Sequence, residues 1–459
     1  ASGGSAWQLV SRTSACAGTV HVMASLTAGV QLPAPSIVLT DALGGEEDPP
    51  EGTVAVLTCS AVDVLSHVAV RARTMGVFLA TCFERDTFEA LKELKGKVAR
   101  VSAKADAVVV EESALTGGPG EGAKAGVVQS KKVSVSRPPP SSELWVDEQG
   151  ILAGRATGAK SRNLAALRAH LPEWVKLPSS AVVPHGVLAR VMAAPENAGA
   201  AKEYQELAAQ LAPKAGGQPE VLLPRIREAI KGLQQPASIG PDLQKAVEAH
   251  GARPGDGAWW RALTAVWASS WSDRAFYACS RAGIQAEDVA MAVLVQKLVA
   301  AEYSFVLHTV HPTGDPSELY GEVVVGLGEV LVGNYPGRTL SFAAPRDGSK
   351  APRVTALPSK AAALSGTGLI FRSDSNAEDL EDFAGAGLFD SVPVTTCAER
   401  IVEYRQEKLV HDLELQTKLL AGLAKLAMVV EAAAGGSPQD IEGCYAGGQF
   451  YVVQTRPQA

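Results

Sequence analysis

A lone histidine, His67, stands in the run Asp63-Val64-Leu65-Ser66-His67-Val68-Ala69-Val70-Arg71-Ala72-Arg73, directly after the apolar segment Thr53–Thr58. An imidazole that accepts a phosphoryl group needs a fixed ring and a positive environment for the anion it receives. A strand–turn–helix order supplies both, because free N–H groups and the helix dipole favour negative charge at a helix start. Arg71 and Arg73 add cations close by. A surface or capping histidine fits the same pattern, so the weight of His67 comes from the rest of the chain.

Three further segments have the composition of a phosphate site. In the last twenty residues, two polar runs flank Ala446-Gly447-Gly448. With that tripeptide as the loop, the spacing predicts Asp440 opposite Gln454 and Glu442 opposite Val452. Period-two alternation then puts Asp440, Glu442, Gln454 and Arg456 on one face. Carboxylate and amide oxygens together suit a hard cation such as Mg²⁺, which shares its sphere with phosphate, and Arg456 suits phosphate itself. A solvated edge hairpin would read the same way. Thr157-Gly158-Ala159-Lys160-Ser161-Arg162-Asn163 opens a helical pattern, so small residues and Lys160 could approach a phosphate, although the spacing is not that of a Walker A loop. Ile370-Phe371-Arg372-Ser373-Asp374-Ser375-Asn376 places an arginine at the end of an apolar strand, and suits either a phosphate clamp or a turn that caps a helix. Gln296 ends another apolar run, Glu322 lies on a third, and the tryptophans 260, 267 and 271 share one helical face, which favours core packing over sugar stacking.

These segments need elements to hold them. Up to Val110, β-type runs at 21–23, 36–39, 53–58, 77–80, 98–101 and 107–110 alternate with helical stretches at 67–74 and 87–94, an order that predicts a small mixed α/β unit. Residues 113–143 turn Gly-, Ser-, Lys- and Pro-rich, the composition of a flexible, partly stiffened linker. From 144 to 459 a longer unit is predicted. It has alanine- and leucine-rich helices over 161–250 and 257–283, and strands at 290–296, 304–308 and 318–325. A helix over 398–427 and the terminal hairpin complete it.

With 459 residues the chain has room for more than one core. A net charge of −7 argues against a general nucleic-acid binder. No apolar run reaches the length of a membrane span. Six scattered cysteines without a C-x-x-C pair fit neither a zinc site nor a disulfide framework. The Gly/Ser-rich start at Ala1 reads as part of a larger polypeptide.

Taken in order, DVLSHVAVRAR (63–73), GAKSRN (158–163), VWASSW (266–271), MAVLVQ (291–296), GLGEVLVGNYPGR (326–338), FRSDSNAEDLEDFAGAGLFDSV (371–392) and QDIEGCYAGGQFYVVQTRPQ (439–458) resemble the C-terminal catalytic portion of the α-glucan, water dikinases, relatives of pyruvate, phosphate dikinase. The resemblance implies a multidomain α/β protein, with a swivelling phosphohistidine domain over 1–112 and an ATP-grasp-like domain over 144–459. It implies His67 as the phosphoacceptor, Lys160, Gln296, Glu322, Arg372, Asp440 and Arg456 as ATP-binding residues, and Glu442 and Gln454 as Mg²⁺ ligands. The implied reaction moves the β-phosphate of ATP through His67 to starch-type α-glucan, chiefly at glucosyl C6, with the γ-phosphate passing to water. The order of segments, with Arg372 after Gln296, resembles the branch acting on unphosphorylated glucan. A phosphoglucan, water dikinase, a phosphoenolpyruvate-forming dikinase and a non-catalytic starch-associated regulator are the alternatives. A plastid setting and a homodimer are further expectations, with no nucleic-acid or membrane partner. Where plant members carry a CFATC pair, Phe78 replaces the first cysteine and Cys82 stands alone, so that disulfide cannot form.

Overall fold

A computed structural model describes residues 6–11, 15–104, 107–113, 132–153, 156–212, 216–253, 255, 257–378, 383 and 385–458. Its first unit is a seven-stranded sheet built from β1 (Trp7–Ser11), β2 (Cys16–Met23), β3 (Gln31–Thr40), β4 (Glu51–Thr58), β5 (Phe78–Cys82), β6 (Val98–Lys104) and β7 (Ala107–Glu112), in the order β1-β5-β4-β3-β2-β6-β7. Strands β2 to β5 pair in parallel. Parallel strands are covered on both faces, which is why β4 is an unbroken apolar run instead of an alternating one. One covering layer is the helix His67–Thr74, whose Val68, Ala69 and Ala72 pack with Val38, Val56 and Leu79. The other predicted helix is an α-helix over Arg85–Leu91 that tightens into a 3₁₀ turn at Lys92–Leu94.

The second unit holds β8 (Val175–Lys176), β9 (Ser180–Val183), β10 (Met291–Leu298), β11 (Tyr303–His308), β12 (Glu318–Val325), β13 (Leu340–Pro345), β14 (Arg353–Ala356), β15 (Ala362–Ser365), β16 (Gly368–Ser375), β17 (Ser391–Pro393), β18 (Ala398–Ile401), β19 (Gln439–Ala446) and β20 (Gln449–Pro457). A four-stranded sheet runs β17-β16-β10-β9 and a seven-stranded sheet runs β14-β13-β12-β11-β19-β20-β8. Trp259, Trp260, Trp267 and Trp271 are buried among the helices beside the smaller sheet, so they are core.

Three local expectations are corrected. The helix predicted over 398–427 starts only at Leu413, where the Asp412 side chain accepts the Leu415 N–H at 2.9 Å. Upstream, Ala398–Ile401 pairs with β15 as a strand. The terminal hairpin turns on two residues, with Gly447 and Gly448 both at positive φ as such turns demand, and a bulge at Val453 shifts the register. Asp440 therefore faces Arg456, and Glu442 faces Gln454. The third concerns the predicted linker. Residues 114–131 lie outside the described residues, but 132–143 are bonded to the second unit: Val133 N–H donates to Ala282 O at 2.9 Å, Asn376 donates to Ser136 O at 3.1 Å and Ser141 N–H donates to His185 O at 2.9 Å.

Candidate active site

Strand register arranges the charged residues in two rows across one face of the seven-stranded sheet. The first row is Glu322, Val306, Glu442 and Gln454; the second is Tyr320, His308, Asp440 and Arg456. Rows two residues apart along a strand are separated by about 7 Å. Arg372 reaches the first row from β16. Its Nη2 donates to Gln454 Oε1 at 2.8 Å and to Glu442 Oε2 at 3.1 Å, and its Nη1 donates to Val453 O at 2.9 Å. The bulge supplies that carbonyl, which Gln296 Nε2 also approaches at 3.4 Å. In the second row Arg456 binds Asp440 Oδ2 through Nε at 3.0 Å and Nη2 at 2.8 Å. Burial alone would raise the Asp440 pKa, but Arg456 and His308 hold it well below the carboxylate range.

Lys160 sits at the start of the helix Ala159–Arg168 and donates to Ser373 Oγ and Glu378 Oε1, each at 2.9 Å. The amides expected to meet a phosphate there are already used. Asp374 accepts Gly158 N–H at 2.8 Å and Ser161 N–H at 3.2 Å, so a carboxylate of the chain itself caps that helix. A Cβ on Gly158 would lie 2.3 Å from the Asp374 carbonyl oxygen, which explains the glycine.

His67 begins its helix at the seam between the units, outside both hydrophobic clusters of the first sheet. A Cβ on Gly387 would come 2.4 Å from its Nδ1, so the Gly387 loop closes directly over the ring. Burial, then the nearby Arg71, Arg456, Arg274 and Lys160, push its pKa well below the ordinary value and keep the imidazole neutral. Lys160 and Arg456 belong to the second unit, so His67 faces the cations of the Arg372 cleft.

Buried polar contacts hold the seam. Glu322, expected near a nucleotide, instead accepts Val64 N–H at 2.9 Å and Leu65 N–H at 3.0 Å, because β12 presents it to the loop ahead of His67. Burial and the neighbouring Asp63 raise its pKa. Asp63 meets Lys360 at 2.7 Å, with side chains 3% and 2% exposed. Arg71 bonds Asp48 at 2.5 Å and Ala386 O at 2.7 Å, while Arg281 takes the other Asp48 oxygen at 2.9 Å. Val64 and Leu65 pack on Val306, Tyr320, Val324 and Leu331. Sequence reasoning missed His308, Lys360 and Gly387. Of these only His308 carried a signal, as the residue two positions beyond Val306 on the same strand face.

Comparison with known proteins places this pair of units in a class. Residues 6–117 match the family model for the alpha-glucan water dikinase phosphohistidine-like domain, and residues 253–338 match the pyruvate phosphate dikinase AMP/ATP-binding domain. Two parts of the chain thus resemble a phosphohistidine-like domain and a dikinase AMP/ATP-binding domain. The chain is homologous to the α-glucan water dikinases along nearly its whole length. The chloroplastic alpha-glucan water dikinase of Citrus reticulata is 40% identical over 92% of this chain and 29% of its own length. That of Solanum tuberosum is 37% identical over 98% and 31%. A probable phosphoenolpyruvate synthase of Archaeoglobus fulgidus is 29% identical over 42% of this chain and 21% of its own length. The chain spans about a third of the length of the α-glucan relatives, between 29% and 33%.

Proposed function

We propose that these two units carry the catalysis of an α-glucan, water dikinase: ATP, α-glucan and water give AMP, phosphoglucan and phosphate. The observation that carries this reading is the position of His67, neutral and held at a seam against the cations of a second unit. A neutral imidazole has the lone pair that nucleophilic attack on phosphorus requires. Cations fixed around it offset the charge of the triphosphate, and such transfers depend mainly on positioning and electrostatics.

In this reading ATP lies between the four- and seven-stranded sheets in an ATP-grasp-like manner, with Lys160, Arg372 and Arg456 along its phosphates and Gln296 at the base end. Glu442 and Gln454 suit Mg²⁺, since Oε2 and Oε1 converge on the single nitrogen Nη2 of Arg372, a positive centre 3.1 and 2.8 Å away. No cluster of three or more His, Cys, Asp or Glu that could hold a metal occurs among the described residues, so phosphate oxygens would complete the sphere. Bound there, Mg²⁺ would neutralise triphosphate charge. His67 attacks the β-phosphorus and its N–P bond forms as the bond to the α-phosphate oxygen breaks, the electron pair leaving with AMP. Phosphorylated His67 then leaves the seam and presents its phosphoryl group to a glucosyl hydroxyl, C6 by family resemblance. A plastid setting follows the chloroplastic names of the relatives.

Incubation with β-³²P-ATP tests the reading. The native chain should take up acid-labile label that soluble α-glucan then removes, and His67→Ala should take up none. Equal labelling of both proteins would refute it.

A further inference from the structure

The second row of the sheet holds a buried group that this mechanism has not yet used. His308 is 2% exposed, and its Nδ1 has no hydrogen-bond partner among the described residues. Its Nε2 pairs with Asp440 Oδ1 at 3.6 Å. From the docked helix, Arg73 adds a second such atom, Nη2, while its Nη1 donates to Val64 O at 2.6 Å. Buried polar atoms are nearly always bonded, so two neighbouring exceptions call for a cause. A purely structural role explains them poorly. Asp440 already has its charge met by Arg456, and a core histidine would use its second nitrogen on a carbonyl or hydroxyl.

The groups around His308 are Asp440 on β19, Tyr320 on β12, Arg73 on the His67 helix and Arg456 on β20. Burial outweighs Asp440 and lowers the His308 pKa, with Arg73 and Arg456 acting in the same direction, so the ring is neutral and can accept a proton. Arg456 lies near His67 as well. This cluster lies in the row next to Glu442 and Gln454, about 7 Å away along the strands.

We infer that His308, oriented by Asp440, is the base for the water that removes the γ-phosphoryl group, in a chamber completed by Arg73 only when the phosphohistidine unit is docked. The inference rests on the proposed dikinase reaction and extends it. Attack of His67 on the β-phosphorus leaves the γ-phosphoryl group attached through the bridging oxygen. Water forms a bond to the γ-phosphorus and passes a proton to the His308 nitrogen turned away from Asp440. The bridging P–O bond breaks with its electron pair on the β-phosphoryl oxygen. Phosphate departs, and His67 keeps one phosphoryl group. Arg73 and Arg456 balance the charge, and the proton on His308 returns to solvent when the unit leaves. Base catalysis of this kind is worth roughly 10²–10⁴ in rate.

Parallel labelling with β-³²P- and γ-³²P-ATP decides the matter, using native chain, His308→Gln and His308→Gly. The native chain should retain β label alone. His308→Gln should take up β label normally, retain γ label on His67 as well, and release phosphate roughly 100-fold more slowly. Added imidazole should restore release in His308→Gly. Native-rate phosphate release by His308→Gln without γ label would overturn the inference, and so would loss of both labels in a variant that melts like the native chain. If the native chain takes no β label, the dikinase reading itself fails.

Discussion

The cleft around Arg372 and the seam around Asp63 both bury charge, but they differ in who supplies the partners. In the cleft, Arg372, Glu442, Gln454 and Lys160 are all held by strands or helices of one unit, and their bonds persist wherever the other unit goes. In the seam three buried contacts cross between units: Asp63 with Lys360, Asp48 with Arg281, and Glu322 with the Val64 and Leu65 amides. The apolar part of the seam is small, seven residues around Tyr320 and Leu331. Affinity between units therefore rests on polar contacts that water can replace on separation, which suits a docked state that must also open.

Variants on either side should separate these roles. Arg372→Ala removes the guanidinium that ties Glu442, Gln454 and the Val453 carbonyl, and should cut β-label uptake roughly 10²–10³-fold. It should weaken ATP binding too, as read by calorimetry; unchanged ATP affinity would contradict a cleft role. Lys360→Met leaves Asp63 buried without its cation, a change that costs about 3–5 kcal/mol when the partner cannot relax. Here undocking relieves it, so uptake should fall about 100-fold while ATP affinity stays native. Loss of ATP affinity in that variant would erase the distinction between seam and cleft.

Smaller effects sharpen the same contrast. Gly387 has φ +65° and touches His67, so Gly387→Ala should slow uptake about tenfold, through closure over the ring and not through nucleotide binding. An ATP dissociation constant that rises in step would place the loop in the cleft instead. The pH profile should move least. Because the docked His67 pKa lies below its usual value, the neutral nucleophile survives acidification, and labelling should decline only at a pH below the ordinary imidazole range. A midpoint near or above the ordinary imidazole value would mean that the docked environment does not govern attack.

Much of this was legible before any coordinates. The helix at 67–74 and the apolar strands β4, β11 and β12 followed from period and composition. So did the shared face of Asp440, Glu442, Gln454 and Arg456, since alternation survives a register shift that moves pairs in step. The pairing itself was misread, because a bulge at Val453 leaves no mark in a polar–apolar pattern. Asp374 looked like part of a phosphate clamp, but its choice of the Gly158 amide over an external anion depends on two segments about 216 positions apart. Lys360 lies in a stretch with no pattern, and only docking turns it into the partner of Asp63.

What the chain alone determined was which residues could bear charge, and on which face of which element, because side-chain period is set by backbone geometry within a few residues. Tertiary structure decided who meets whom: that Glu322 grips the loop before His67, that His308 pairs with Asp440, and that Gly387 closes over the imidazole. Those outcomes depend on burial and on contacts between distant segments, and local sequence carries no record of either.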